Sequence, residues 1–241
     1  MSAEDVPLPR YDFLAGALLL VDKPQGWTSF DVVNKIRYKL KHGLKVKKIK
    51  VGHAGTLDPM ATGLLVVCTG KHTKKLSTYQ GLEKEYTGTL RLGATTPSYD
   101  AESEVEEHFP TSHITPALLE KARQAFLGDI EQVPPMFSAI KVDGQPLYKK
   151  ARKGVVVEVE PRQVQIHEFE LTQVDLPDVS FRVRCSKGTY IRSLAHDFGK
   201  ALDSGAYLTA LRRTRVGPFH IDDAWEMEEL ADYLAELEEK S

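Results

Sequence analysis

Short runs in which apolar and polar residues alternate constrain the fold of this chain most strongly. Residues 86–92 and 179–185 carry their larger apolar side chains on one face, and residues 164–171 also have period-two patterning, which predicts half-buried β-strands. Val155 to Glu160 has the same period and predicts a further strand. Helical periods separate these runs at uneven spacing. The sequence therefore predicts an α+β protein with a mixed, mostly antiparallel central sheet flanked by helices and loops.

Cap residues and helical periods predict four helices. Thr28 can cap the first helix, in which Phe30 begins the apolar period, and Thr115 can cap the second, with Pro116 at its first position. The third predicted helix follows a glycine, and the fourth predicted helix has an amphipathic period. The predicted helices cover residues 28–43, 115–128, 189–202 and 224–239.

Composition shifts along the chain predict its domain organisation. Residues 1–12 predict a loose N-terminal arm, followed by a single domain over residues 13–241. Residues 97–113 are acidic, which predicts an exposed loop, and the prolines at 134 and 135 exclude a central strand there. We therefore predict that residues 97–153 form an excursion inserted into the sheet.

The formal net charge of −2 conceals a strong segregation of charge. Residues 32–57 hold eight Lys or Arg and no acid, whereas residues 221–241 hold nine Asp or Glu and one Lys. The total argues against a nucleic-acid partner, but the basic segment favours one. We expect the final helix to pack Trp225 and Leu230 against a core while its acids face away.

Several classes of protein are excluded by what the sequence lacks. It has no run of 18 apolar residues, which argues against a membrane partner, and its start does not resemble a secretory signal. Its two cysteines lie far apart, which fits a reducing compartment, so we expect a cytoplasmic protein. No Cys-x-x-Cys or His-x-x-x-His pair occurs, so no metal site is predicted.

Residues 51–65, VGHAGTLDPMATGLL, carry the strongest chemical signal. Three glycines, a proline and two threonines surround one carboxylate, Asp58, just before a buried-type strand. Asp58 could simply cap backbone amides in a turn. That interpretation leaves unexplained the basic helix before the segment and Lys71, Lys74 and Lys75 after it.

This segment resembles the signature of the TruB-type pseudouridine synthases, and five further blocks resemble that family in the same order. Together they cover residues 16–216, which makes the resemblance far more specific than one glycine-rich loop. The further blocks are residues 18–29, 84–93, 132–139, 185–194 and 211–213.

The resemblance implies the pseudouridine synthase fold, with residues 97–153 as a thumb-like, RNA-gripping excursion of one catalytic domain. It implies isomerisation of uridine to pseudouridine at position 55, in the T arm of tRNA. The C1′–N1 bond breaks, the uracil turns, and C5 joins C1′. No oxidation state changes and no group is transferred, so no cofactor is expected. We expect a monomer whose partner is tRNA.

The resemblance also assigns the site. It implies that Asp58 is the catalytic carboxylate, either attacking a carbon or removing a proton from the sugar. It implies that Arg192 keeps Asp58 ionised and that Tyr86 stacks on the target base. His53 would fill the space that the flipped base leaves. The residues expected to bind substrate are His53, Tyr190, Leu211, Lys23, Gly55 and Thr56.

The chain departs from the family in two places. Phe137 stands where the family often has tyrosine, and only about 25 residues follow the last block, too few for the C-terminal PUA domain of many members. Two other functions remain open. A non-catalytic tRNA-binding or tRNA-folding protein that kept the fold would be expected to lack the acid or the arginine, yet Asp58, Tyr86 and Arg192 are all present. A hydrolase using Asp58 would need a second acid or a metal, and the sequence shows no obvious cluster of either kind.

Overall fold

The structure is a computed structural model that describes residues 11–239, except residues 139, 143, 152, 154 and 156. The helices are α1 (Ser29–Gly43), α2 (Leu76–Gln80), α3 (Pro116–Ala125), α4 (Leu147–Ala151), α5 (Ile191–Ala201) and α6 (Met227–Glu239), with 3₁₀ turns at Gly70–Lys75 and Ile221–Asp223. The strands are β1 (Leu18–Lys23), β2 (Val51–Ala54), β3 (Thr62–Thr69), β4 (Lys84–Leu92), β5 (Ala94–Thr95), β6 (Glu107–His108), β7 (Gly128–Gln132), β8 (Lys141–Val142), β9 (Gln145–Pro146), β10 (Arg162–Asp175), β11 (Asp178–Cys185), β12 (Ala206–Val216), β13 (Phe219–His220) and β14 (Trp225–Glu226).

The described residues divide into two compact units. The first contains residues 11–59, 63–81 and 219–239, and the second contains residues 60–62 and 82–218. In the first unit the strand order is β14-β1-β3-β2, in which only the β1–β14 pair is parallel. Helices α1 and α6 pack together on an apolar core. That core includes Leu19, Val21, Val33, Ile36, Leu40, Leu230 and Leu234.

A capping box starts α1, as the sequence predicts. The Thr28 hydroxyl accepts a hydrogen bond from the Asp31 amide, and the Asp31 carboxylate accepts one from the Thr28 amide. Two of the amides that a helix start leaves unpaired are thereby satisfied. Phe30 departs from the predicted period, because its side chain is exposed rather than buried.

The second unit is built on the strand order β12-β4-β11-β10-β7, with every neighbouring pair antiparallel. The alternation predicted for residues 179–185 is confirmed, since Val179, Phe181, Val183 and Cys185 are all buried. Helix α5 follows β11, and Phe198 of that helix meets Phe169 of β10 edge to face at 5.6 Å between ring centroids. The α+β class with a mixed, mostly antiparallel sheet is confirmed.

Four details differ from the sequence predictions. Residues 155 and 157–160 lie outside strands, so the strand predicted at Val155 to Glu160 is wrong. Strand β7 lies within the predicted excursion, and β12 was not predicted. Trp225 belongs to β14 rather than to the last helix, which begins at Met227. The acids of α6 do face away from Leu230, because Glu228, Glu229 and Asp232 are exposed.

Within residues 11–239, outside the five positions not described, no helix is both long enough and apolar enough to cross a membrane.

Candidate active site

Asp58 lies half-buried in the loop that joins β2 to β3. The loop begins at Gly55, whose φ of +88° is a conformation that side chains with a Cβ rarely adopt. Ser29, at the start of α1, fixes the residue before Asp58. Its hydroxyl accepts a hydrogen bond from the Leu57 amide at 2.8 Å and donates one to the Leu57 carbonyl at 3.2 Å.

The residue after Asp58 is fixed by the turn that follows β1. The Gly26 amide donates to the Pro59 carbonyl at 2.8 Å, and the buried Lys23 ammonium group lies 3.4 Å from the same oxygen. Lys23 Nζ also donates to the carbonyls of Pro24, at 2.9 Å, and Trp27, at 2.6 Å. Lys23, which is predicted to bind substrate, thus contacts three backbone carbonyls, one of them that of Pro59 next to Asp58.

The other predicted residues of the first unit lie on β2 and just after it. His53 is half-buried and pairs with Val67 of β3, whereas Thr56 is exposed. Strand β2 is held to α1 by Arg37, whose guanidinium donates to the Val51 carbonyl at 2.9 Å. These contacts position the strand that leads into the Asp58 loop.

Arg192 lies in the first turn of α5 in the second unit and is buried. Its guanidinium donates to the carbonyls of Ser98, at 3.0 Å, and Phe137, at 2.6 Å. Its Nε lies 3.6 Å from a carboxylate oxygen of Asp100. Because Phe137 contributes its backbone carbonyl, this contact does not depend on the type of side chain at position 137.

Asp100 is a buried partner of Arg192 that the sequence does not predict. It falls in the segment predicted to be an exposed acidic loop, yet its side chain is fully buried. One carboxylate oxygen accepts hydrogen bonds from the Ser98 hydroxyl, at 2.5 Å, and from the Glu102 amide, at 3.0 Å. A buried carboxylate needs such partners. Burial next to an arginine distant in the chain leaves no local signal in the sequence.

A second contact packs the loop that contains Asp100 against α5. The Tyr99 ring stacks on the His196 ring, with the centroids 3.9 Å apart and the planes 12° from parallel. Burial lowers the pKa of His196 to about 4, and the charge of Lys200 adds to that shift. His196 is therefore neutral at pH 7, and the stack presents no charge to the helix turn that carries Arg192.

Tyr190 occupies the N-cap position of α5, and two residues contact it from outside the helix. The buried side-chain amide of Gln132 donates to the Tyr190 carbonyl at 3.0 Å and accepts from the Tyr190 amide at 2.7 Å. The Arg162 guanidinium lies over the Tyr190 ring, 4.5 Å from its centroid, a cation–π contact. Strand β7, absent from the sequence prediction, supplies Gln132 from its last position.

Tyr86 and Leu211 lie on neighbouring strands. Tyr86 of β4 is opposite Arg213 of β12, and Leu211 is opposite Gly88, so the two predicted residues are diagonal neighbours. Lys84, two residues before Tyr86, and Arg213 are both buried. Burial lowers the pKa of Lys84 to about 8, and the charge of Arg213 contributes. Neither cation was singled out in the sequence analysis.

Two arginines of β11, Arg182 and Arg184, form ion pairs with acids of neighbouring strands. Arg182 meets Glu85, Glu168 and Glu170 at 2.8 to 3.3 Å. Arg184 meets Glu168 at 2.7 Å. Within the described part of the chain, no group of three or more His, Cys, Asp or Glu could hold a metal ion.

Comparison with known proteins decides the family. Residues 41–191 match the family described as "TruB family pseudouridylate synthase (N terminal domain)", and residues 192–241 match the "tRNA pseudouridylate synthase B C-terminal domain". The chain belongs to the TruB family of pseudouridylate synthases. It is therefore an enzyme of the isomerase class, as the sequence blocks predict.

Curated relatives of this TruB-family chain have nearly the same length. The tRNA pseudouridine synthase B of Flavobacterium johnsoniae is 58% identical over 88% of this chain and 93% of its own. The protein of the same name from Parabacteroides distasonis is 55% identical over 92% of this chain and 95% of its own.

Solved structures share the fold of this TruB-family chain. A chain in the crystal structure of a Cbf5-Nop10-Gar1 complex has a TM-score of 0.70 and 31% identity, over 92% of this chain and 55% of that longer one. A chain in an H/ACA RNP bound to a substrate RNA containing 2'-deoxyuridine has a TM-score of 0.68 and 28% identity, over 95% of this chain and 56% of that one. The pseudouridine synthase fold is thereby confirmed.

Proposed function

We propose that this enzyme converts uridine 55 in the T arm of tRNA to pseudouridine, with Asp58 as the catalytic carboxylate. The observation that carries the proposal is the anchoring of the Asp58 loop on both sides. Leu57 is bonded to Ser29, and Pro59 to Gly26 and Lys23. A carboxylate held in this way keeps its position while a substrate sugar is brought against it.

The reaction needs few protein groups. A carboxylate attacks the ribose or removes a proton from it, the C1′–N1 bond breaks, and the freed uracil turns so that C5 bonds to C1′. The C5 hydrogen leaves as a proton and N1 gains one, so the product is an isomer of the substrate. In this proposal Arg192 supports the ionised acid, and Tyr86 with Leu211 contacts the uracil. Neither a cofactor nor a metal is needed.

The target uridine must leave the base stack before it can react. Flipping costs a few kcal/mol, and His53 is proposed to occupy the vacated space. Gly55 and Thr56 are proposed to contact the flipped nucleotide through the backbone and a hydroxyl group. Tyr190 is proposed as a second aromatic contact, with the Gln132 amide bonds keeping its backbone in place.

Positive charge in the first unit supports an RNA substrate. Lys48, Lys50, Lys71 and Lys74 line an open depression of about 260 Å³. All four ammonium groups belong to exposed residues, and a phosphate backbone is the partner that such a group of cations suits. We propose that residues 97–153 add further RNA contacts within one catalytic domain, and that the enzyme acts as a cytoplasmic monomer.

The test incubates the enzyme with a T-arm stem-loop RNA and, separately, with full-length tRNA. Pseudouridine is mapped by nucleotide, for the parent and for Asp58→Asn. We expect conversion at position 55 with the parent and no conversion with the variant, while tRNA binding by the variant persists.

Other outcomes would support the rival functions. Equal RNA binding without product from either protein would favour a binding or RNA-folding protein. Free uracil or cleaved RNA would favour a hydrolase. Conversion at another uridine would retain the enzyme class and overturn the proposed position.

A further inference from the structure

Two exposed aromatic side chains on α1 have no part in the site described above. Phe30 is 61% exposed and Tyr38 is 59% exposed, more than any other large hydrophobic side chain in the described part of the chain. No other aromatic residue is among the exposed large hydrophobics there. Single exposed apolar residues are common, but two aromatics on one helix, two turns or about 12 Å apart along the axis, form a pattern.

The charge around these rings points to one kind of partner. From residue 32 to residue 57 every charged side chain is basic, and Lys35, Lys39 and Lys41 lie on the same helix as the rings. Aromatic rings interspersed with cations suit single-stranded or looped RNA, because the rings stack on bases while the cations meet phosphates. A protein partner would more commonly meet an apolar patch with fewer like charges.

The position of Phe30 connects this surface to the proposed site. Phe30 directly follows Ser29, whose hydroxyl fixes Leu57 next to Asp58. Phe30 and Asp58 are therefore each one residue from the Ser29–Leu57 hydrogen bonds, which connect the start of α1 to the Asp58 loop. Tyr38 is restricted in a different way, because its ring packs 4.1 Å from the His42 ring. A ring that is already restricted loses less conformational freedom when a base stacks on it.

We propose that Phe30 and Tyr38 form a stacking surface for unpaired bases of the substrate tRNA, outside the pocket for the target uridine. This inference rests on the proposed function. It adds an interaction surface whose affinity comes from aromatic faces, in contrast to the lysines of the first unit, which contribute through charge.

The test measures tRNA dissociation constants at several salt concentrations for Phe30→Ala, Tyr38→Ala and the double variant. We expect Kd to rise about fivefold or more for each ring removed, with an unchanged slope of log Kd against log salt concentration. Phe30→Trp retains a stacking face and should bind like the parent. Lys47→Gln should instead lower the salt slope. Leu176→Ala, which removes an exposed apolar side chain from the second unit, is the matched control.

The outcomes separate the two proposals. If the parent binds and converts tRNA while the aromatic variants retain the parent Kd, the stacking surface is wrong and the proposed function stands. If the parent neither binds nor converts tRNA, the proposed function fails, and the inference with it. If the variants differ from the parent only in the self-association of the free protein, the surface serves a second copy and the inference is overturned.

Discussion

Ser29 shows how one side chain can fix the loop that carries Asp58, the proposed catalytic acid. Its hydroxyl forms two hydrogen bonds with Leu57, the residue before Asp58, and is buried. Removing it leaves the Leu57 amide without its hydroxyl partner, which costs about 1–3 kcal/mol when the group stays buried. The loop that carries the Asp58 carboxylate then becomes less rigid.

Ser29→Ala should therefore reduce kcat by about tenfold or more while KM changes little, because the acid is displaced from the reacting sugar. Steady-state kinetics with full-length tRNA measures this split. Ser77→Ala, an exposed serine in the same unit, is the control. A variant in which KM alone changes would contradict a positioning role for Ser29.

His196 predicts how stability depends on pH. Burial holds its pKa at about 4 in the fold, whereas the ordinary value is 6.5. As pH falls from 6.5 toward 4, the unfolded chain gains a proton that the fold does not, so the free energy of unfolding declines. The decline attributable to this residue is at most about 3 kcal/mol.

Urea unfolding at several pH values, for the parent and for His196→Gln, measures that contribution. The parent should lose more stability than the variant between pH 6.5 and 4. Parallel curves for the two proteins would show that His196 has a similar pKa in the folded and unfolded states.

The elements of the fold differ in how much of them the sequence predicts. Helices α1 and α3 were predicted with their caps, because Thr28 and Thr115 act on amides only a few residues away. Strand β12 was not predicted, since its basic residues conceal the alternation and Arg213 is buried against the usual preference. The alternation of apolar and polar residues at 155–160 led to a wrong prediction. A strand also needs a neighbouring strand to pair with, and the period does not show whether one is present.

The same distinction applies to the site. Asp58, Tyr86 and Arg192 fall within sequence blocks that resemble the family. Gln132 also begins such a block, but its contact with Tyr190 and that of Asp100 with Arg192 join residues far apart in the chain, and no local pattern predicts such contacts. Their roles depend on β7 and the residue 98–102 loop being packed against α5, which is a property of the tertiary structure.

Strand β7 should matter for activity through Gln132. Gln132→Leu removes both bonds to the Tyr190 backbone, so we expect lower stability by about 1–3 kcal/mol and a lower rate of conversion. Thermal unfolding and single-turnover kinetics measure the two effects. Gln163→Leu, which removes an exposed contact with Glu131, is the control. Equal effects of both substitutions would contradict a specific role for Gln132.

For the whole molecule, the distribution of charge matters more than the net charge of −2. The basic segment of residues 32–57 and the depression lined by lysines lie in one unit, and the exposed acids of α6 belong to that unit too. The acids of α6 bring the total charge of the chain close to zero. The composition alone therefore gives a poor indication of the partner.

Salt dependence provides a test at this scale. Replacing Lys48 and Lys71 together by glutamine should weaken tRNA binding and reduce the slope of log Kd against log salt by about 0.7–0.9 for each phosphate that the protein no longer neutralises. Replacing Glu228 and Glu229 by glutamine should leave the slope nearly unchanged. Filter binding from low to physiological salt measures both. A slope unaffected by the lysine substitutions would exclude this depression as an RNA-binding surface.

In the proposed reaction, the enzyme uses Asp58 to move uracil from attachment through N1 to attachment through C5. The most direct measurement uses full-length tRNA labelled with tritium at C5 of its uridines, because forming the C5–C1′ bond releases that hydrogen to water. We predict tritium release equivalent to one uridine per tRNA with the parent and none with Asp58→Asn. Tritium that stays on the RNA, or appears in free uracil, would contradict the account.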